Sequence, residues 1–197
     1  MQPFYSSLDR LLLTIAEPNR NAVLKIVADH RTLFQTVPGA TNNHQNWPGG
    51  YFDHVQEVLN IAVLLYGPLS RARPLPFSLS DALLVLFLHD IEKPWKYERR
   101  EDGQLHVIPE LVEKQAQHAF RATKLAEYGI VLTDLQQNAL HYVEGEMADY
   151  SSRRRVMNEL AAFCHLCDTW SARGWYSHPL ESGDPWAGAS RVRDAVC

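Results

Sequence analysis

Apolar residues recur along this chain at the three-and-four spacing of amphipathic helices, and the spacing predicts helices near 6–17, 20–36, 51–66, 79–90, 109–128, 133–145 and 155–173. The punctuation agrees. Ser78 or Ser80 suits the cap of the fourth segment and Thr133 or Asp134 that of the sixth; Pro109 fits the first turn of the fifth, and Gly129 follows its end. "PGATNNHQNWPGG" and "GPLSRARPLPFS" read as loops by composition. The strand-like signal is "ERREDGQLHVI", a small hairpin around Asp102-Gly103. No repeat or low-complexity tract is visible. The expectation is an all-α, single-domain bundle of about seven helices over residues 1–174, followed by an extended tail over 175–197 with a tryptophan anchor.

Composition supports this and narrows little. A chain of 197 residues, 46% apolar and 21% charged, suits one buried core rather than a disordered polymer. The net charge of −4 argues against non-specific polyanion binding. The N-terminal "LLLTIA" is too short to span a bilayer and lacks a basic leader region, so a cytoplasmic location is expected, with no membrane partner. Three cysteines cannot all pair within one chain. Cys164 and Cys167 form a C-x-x-C inside an expected helix, where core packing explains them better than redox or zinc chemistry.

The fourth segment breaks the amphipathic rule. Seven apolar residues run from Ala82 to Leu88, and His89, Asp90, Glu92 and Lys93 follow at once. Four other expected helices place His54, His118, His141 and Asp168 among apolar neighbours; His118 shares a stripe with Leu111, Ala122 and Leu125. A single histidine on such a stripe is more often a hydrogen-bonded core residue than a ligand. Six such positions over five helices are a different matter. Buried imidazole and carboxylate cost several kcal/mol unless paired, and one divalent cation satisfies them together.

The order His54, then His89-Asp90, then a distant Asp168 resembles the HD-domain phosphohydrolase superfamily. "FLHDIEKPW" is similar to that family's apolar-H-D-I-G-K signature, and "HLCDTWSARG" to its closing A-D-x-x-S/D-A segment. The similarity extends from about Gly49 to Gly174. "QAQHAFRATKLAEYGI" and "NALHYVEGE" resemble the segments that supply a second metal site in the dinuclear subgroup: cyclic dinucleotide phosphodiesterases of the HD-GYP type, animal cyclic nucleotide phosphodiesterases and bacterial diadenosine tetraphosphate hydrolases. Carried over, the resemblance implies that His54, His89, Asp90 and Asp168 hold one ion, with Asp90 bridging to a second held by His118 and His141. Two positions depart from the pattern: Glu92 replaces the usual glycine, and Tyr142 stands where many relatives carry a second histidine.

The resemblance implies a divalent-metal-dependent phosphohydrolase or phosphodiesterase that hydrolyses a nucleotide or short oligonucleotide through a metal-bridged hydroxide. Two ions about 3.5–4 Å apart lower the pKa of a bridging water and clamp the phosphoryl group. The mixed imidazole and carboxylate set suits one or two ions among Mn²⁺, Fe²⁺, Ni²⁺, Co²⁺, Zn²⁺ and Mg²⁺. Asp90 and Lys93 are the candidate catalytic residues, and Lys93, Arg153, Arg154 and Tyr142 the candidate substrate contacts. Arg155 completes the basic run, and Glu92 either orients a water or faces solvent. Trp47, Tyr51, Trp95, Tyr97 and Tyr142 are candidates to stack a base. His165 is the best competing ligand, three residues before Asp168, whereas His30, His44, His106 and His178 read as surface or loop histidines. Two alternatives stay open: a mononuclear nucleotidase or deoxynucleotide triphosphohydrolase, and a non-catalytic nucleotide-binding domain. A homodimer also stays open.

Overall fold

The computed structural model describes residues 4–99 and 105–193. Its elements run α1 (Leu8–Leu12), α2 (Asn19–Phe34), α3 (Gly50–Ala72), α4 (Leu79–Leu88), α5 (Lys93–Lys96), β1 (Tyr97–Arg99), β2 (Leu105–Val107), α6 (Lys114–Glu127), α7 (Asp134–Tyr142) and α8 (Glu159–Thr169). The all-α bundle is therefore observed, with one two-stranded antiparallel hairpin. Among the described residues no helix is long and apolar enough to cross a membrane.

The apolar run becomes the axis of the molecule. Every side chain from Ala82 to Leu88 is at most 1% exposed. A helix that is apolar on every face must be walled on every side; α3, α7 and α8 pack around α4, and α1 touches it as well. Its start is fixed by a reciprocal cap, in which the Asp81 amide donates to Ser78 Oγ (3.2 Å) and the Ser78 amide donates to Asp81 Oδ2 (2.8 Å). Thr133 and Gln136 repeat this device on α7. Asn158 caps α8 by accepting from the Ala161 amide at 2.7 Å.

The first half of α3, Gly50 to Ala62, is wholly buried although it carries Asp53, His54, Gln56, Glu57 and Asn60. Such groups are tolerated only with partners. Gln56 Oε1 accepts from the Leu8 amide (2.7 Å), and Asn60 exchanges hydrogen bonds with the Ser6 backbone (2.7 and 2.9 Å). These two residues pin the N-terminal segment across α3. From the other end of the chain, Trp186 makes edge contacts with Tyr5 (5.2 Å between ring centroids) and Trp175 (5.6 Å), and the Val192 amide donates to Asp53 Oδ1 at 2.8 Å.

Each of the seven expected helical segments holds a helix, with shifted ends. α3 runs through Gly67-Pro68 to Ala72, so the loop expected from Gly67 begins only at Arg73. That stretch is open to solvent, where the carbonyl that Pro68 leaves without an N–H donor costs little. Pro109 opens a separate tight turn, Pro109–Leu111, and α6 starts afterwards. Lys93–Lys96 form a short extra helix after the apolar run. The turn expected at Asp102-Gly103 lies outside the described residues.

Candidate metal centre

Where α4 ends, its last turn meets the N-terminal part of α3, at His54, and the end of α8, at Asp168. His89 caps α4 in helical geometry, and its Nδ1 lies 2.6 Å from the Leu86 carbonyl. A carbonyl only accepts, so Nδ1 carries a hydrogen and Nε2 is the nitrogen left to face a cation. His54 reaches the same conclusion by another route. Its Nδ1 is 3.1 Å from Ser171 Oγ, and that hydroxyl gives its single hydrogen to Glu57 Oε2 at 2.6 Å. Ser171 therefore accepts from His54 Nδ1–H, leaving His54 Nε2 to face it as well.

The two Nε2 atoms lie 3.4 Å apart, between the carboxylates. Asp168 Oδ1 is 3.2 Å from His54 Nε2 and 3.5 Å from His89 Nε2. Asp90 Oδ2 is 3.1 Å from His89 Nε2 and 3.6 Å from His54 Nε2. Ligand atoms of His54, His89 and Asp168 all fall within 4.8 Å of one another, a spread that one ion can span. The donors fit a divalent cation: two imidazoles locked in the ligating tautomer through their second nitrogens, with hard oxygens opposite.

The electrostatics of the pocket point the same way. Burial opposes charge on Asp168, but its contacts with the His54 and His89 imidazoles hold its carboxyl well below the usual range. Asp90 is likewise held low, because the charges of His89 and Lys93 outweigh burial. Burial also pulls on His89, yet the Asp90 charge and hydrogen bonds to Asp168 and Asp90 push it up to about 10, so without a cation Nε2 carries a proton, which metal binding would displace. His54 is held below its ordinary value by burial. Lys93 Nζ lies 2.5 Å from Asp90 Oδ2, and the Asp90 charge keeps the ammonium protonated against desolvation. Both carboxylates thus stay ionised in a buried pocket, which demands compensating positive charge.

His118 and His141 face each other across α6 and α7 with ring centroids 5.7 Å apart; both are exposed and line a cavity with Arg121, Leu125 and Leu140. Among the described residues no hydrogen bond or ion pair joins this pair to the His54–His89 cluster. Glu92, whose side chain is 2% exposed, lies 3.3 Å from Nη2 of Arg121, which lines that cavity. The solvent-facing reading of Glu92 is therefore wrong: its carboxylate answers a buried guanidinium. Arg153, Arg154 and Arg155 are exposed and line a surface groove with Glu146 and Tyr150. Tyr142 borders a neighbouring groove with Arg154, and its hydroxyl donates to Asp149 at 3.0 Å.

The competing ligand His165 has its Nδ1 2.7 Å from the Val143 carbonyl; like His44 and Asp90 it is not among the three residues whose ligand atoms all fall within 4.8 Å, and among the described residues no side-chain hydrogen bond or ion pair joins it to them. Three of the aromatic candidates are committed to packing. Tyr51 is buried in the core, Trp95 lies against His30 and Phe120, and Trp47 donates to Asp53 beneath the Arg191 guanidinium. Cys164 and Cys167 are both fully buried thiols, and burial pushes each well above its ordinary value.

The residues behind the ligands escaped the sequence reading. Ser171 occupies the S/D position of the motif's closing segment, so its place was visible but its bond to His54 was not. Gln45 is fully buried and donates from Nε2 to Glu57 Oε2 at 3.0 Å. His44, read as a surface or loop histidine, does stand in the loop before α3, where its ring lies against the His54 ring with centroids 4.6 Å apart. Burial, then the neighbouring charges of His54 and Lys93, push His44 down to about 3, so it is a neutral imidazole at ordinary pH.

No protein-family model matches the chain, and no solved structure matches it. A curated relative is the dihydroneopterin 2',3'-cyclic phosphate phosphodiesterase of Methanocaldococcus jannaschii, 29% identical over 77 residues. The matched stretch covers 39% of this chain and 31% of that relative's length.

Proposed function

We propose that this chain is a divalent-metal-dependent phosphodiesterase or phosphohydrolase of the HD type, acting on a nucleotide-like phosphoester. The observation that carries the reading is the convergence of His54 Nε2, His89 Nε2, Asp90 and Asp168, with both histidines fixed in the ligating tautomer. The similarity to a cyclic phosphate phosphodiesterase supports the same chemistry and makes a 2',3'-cyclic phosphate the first substrate to try.

A cation bound here supplies Lewis acidity toward a phosphoryl oxygen and a nucleophile at neutral pH. The chain does the rest. His54, His89, Asp90 and Asp168 fix the position of the centre, and the walls of α3, α4 and α8 keep bulk water from the ligands. Lys93, 2.5 Å from Asp90, carries a protonated ammonium that donates to a non-bridging phosphate oxygen and offsets the charge that grows there. The grooves lined by Arg153, Arg154 and Tyr142 offer positive charge and a phenol to the remainder of the substrate.

A one-ion reading is favoured over a two-ion reading by one observation: His118 and His141 are exposed and fall outside the group of ligand atoms that His54, His89 and Asp168 bring together. The test is elemental analysis of metal per chain beside a substrate panel of 2',3'-cyclic mononucleotides, nucleoside mono- and triphosphates, cyclic dinucleotides, dinucleoside polyphosphates and short RNA. Turnover of at least one class, lost in Asp168→Asn, is expected. Bound metal with no turnover of any member would overturn the enzymatic reading and leave the binding domain. About two ions per chain, falling to one in His118→Ala, would restore the dinuclear arrangement.

A further inference from the structure

The loop before α3 is more rigid than its composition suggests. Gln45 has φ of 40° although it is not glycine, a conformation that persists only when its surroundings enforce it. Here they do. The Gly39 amide donates to the Gln45 carbonyl at 2.8 Å, the Gln45 amide donates to the Tyr176 carbonyl at 2.8 Å, and a Cβ at Gly50 would sit 1.8 Å from the Gln45 carbonyl oxygen. His44 is thus offered to the centre from a fixed point.

Its tautomer is fixed as well. Gln45 Nε2 faces Glu57 Oε2 (3.0 Å), the carbonyls of His178 (3.1 Å) and Trp175 (3.3 Å), and Ser171 Oγ (3.4 Å), whose own hydrogen goes to Glu57, so Oε1 is the end that meets His44. His44 Nδ1, 2.8 Å from Gln45 Oε1, must be the donor, and Nε2 is the bare nitrogen. Among the described residues no hydrogen bond reaches that Nε2. His44, His54 and His89 therefore share one signature, in which Nδ1–H is spent on an acceptor and Nε2 is the nitrogen left for a cation. For His44 and His54 the acceptors lead to the same carboxylate, through Gln45 and Ser171 respectively. A histidine that merely packed against His54 would need no buried amide to orient it, nor a left-handed residue beside it.

We propose that His44 is a further ligand of this centre, presenting Nε2 to the cation beside His54. This rests on the proposed reading of the pocket as a metal site. Three imidazoles with two carboxylates favour Fe²⁺, Co²⁺, Ni²⁺ or Zn²⁺ over Mg²⁺, which takes oxygen donors.

Cobalt tests it on the full chain. Co²⁺ is titrated into wild type, His44→Ala, His44→Phe and a control, His30→Ala, with the visible absorption bands and chelator-competition affinity measured and circular dichroism confirming the fold. His44→Phe keeps a ring against His54 while removing the nitrogens, and serves if the alanine variant does not fold. The expected result is a changed band position or intensity in both His44 variants and an affinity loss of at least about tenfold, the lower bound for disturbing a metal's immediate surroundings; His30→Ala should match wild type. An unchanged spectrum in the His44 variants, with or without weaker binding, overturns the ligand role and leaves the centre standing. Failure of wild type to bind Co²⁺, Mn²⁺ or Zn²⁺ overturns the metal centre itself, and the His44 proposal with it.

Discussion

Glu57 offers the sharpest quantitative test of the buried network, because replacing it with glutamine changes a charge and almost nothing else. Burial pushes this carboxyl from its ordinary 4.5 up to about 8, the hydrogen bond from Ser171 opposing the shift and the Asp184 and Asp53 charges adding to it. Both Ser171 Oγ (2.6 Å) and Gln45 Nε2 (3.0 Å) reach the same oxygen, Oε2. A proton taken up by the group therefore sits on Oε1, and a glutamine with its oxygen at the Oε2 position reproduces that neutral form. The sign follows from linkage. Below pH 4.5 the carboxyl is protonated whether the chain is folded or not, so its contribution is fully present; as pH rises toward 8 the unfolded chain ionises while the folded one resists, and stability is lost. At about 1.4 kcal/mol per pH unit, a displacement from 4.5 to about 8 bounds the loss at about 5 kcal/mol. Urea unfolding of wild type and Glu57→Gln, each with chelator present, should give similar midpoints at pH 5 and a glutamine advantage that grows to several kcal/mol by pH 9. Parallel stability curves across that range would show that Glu57 is ionised in the fold and that the burial argument fails.

The remaining expectations are more local. Asp168→Asn and His89→Ala should each abolish stoichiometric metal binding, read by elemental analysis after gel filtration, while leaving the helical circular dichroism intact. Arg121→Ala strands the Glu92 carboxylate in the core and should cost about 3–5 kcal/mol in urea unfolding, whereas replacing both partners with apolar residues of similar volume should cost much less. Gly50→Ala forces a Cβ to within 1.8 Å of the Gln45 carbonyl oxygen, so both the unfolding midpoint and metal affinity should fall. In a Cys197→Ser chain, Cys164 and Cys167 are 0% exposed and should react with a thiol reagent only at the rate of unfolding; fast reaction of the native protein would contradict their place in the core.

The course of the helices was legible because the information is local. An unbroken apolar run from Ala82 to Leu88 calls for an element enclosed on every side, and Ser78 with Asp81 three residues on marks it as a helix and announces where it starts. Helix ends were less legible where solvent, not sequence, sets the cost. Pro68 breaks a buried helix but is tolerated in the exposed half of α3, and nothing in the residues around it states that this half is exposed.

The candidate ligands were legible for a different reason: metal chemistry accepts few side chains, so His54, His89, Asp90 and Asp168 stand out by residue type. The shell behind them carries no such mark. Ser171, Gln45 and Glu57 act through hydrogen bonds that many residue types can make, and the partners lie far apart in the chain, Ser171 being 117 residues from His54 and 114 from Glu57. Only the fold reveals that one buried carboxylate, through a hydroxyl and an amide, sets the tautomers of two histidines at once. His44 was passed over on the same ground, since it stands in a segment rich in Asn, Pro and Gly that composition assigns to solvent. What overrides composition there is the backbone: Gly39 and Gly50 let the loop approach α3 closely enough for Gln45 to be buried, and a buried Gln45 leaves its neighbour's ring no place but against His54. The two glycines are thus part of the centre's design as surely as the ligands, because a side chain at Gly50 would expel the residue that orients His44.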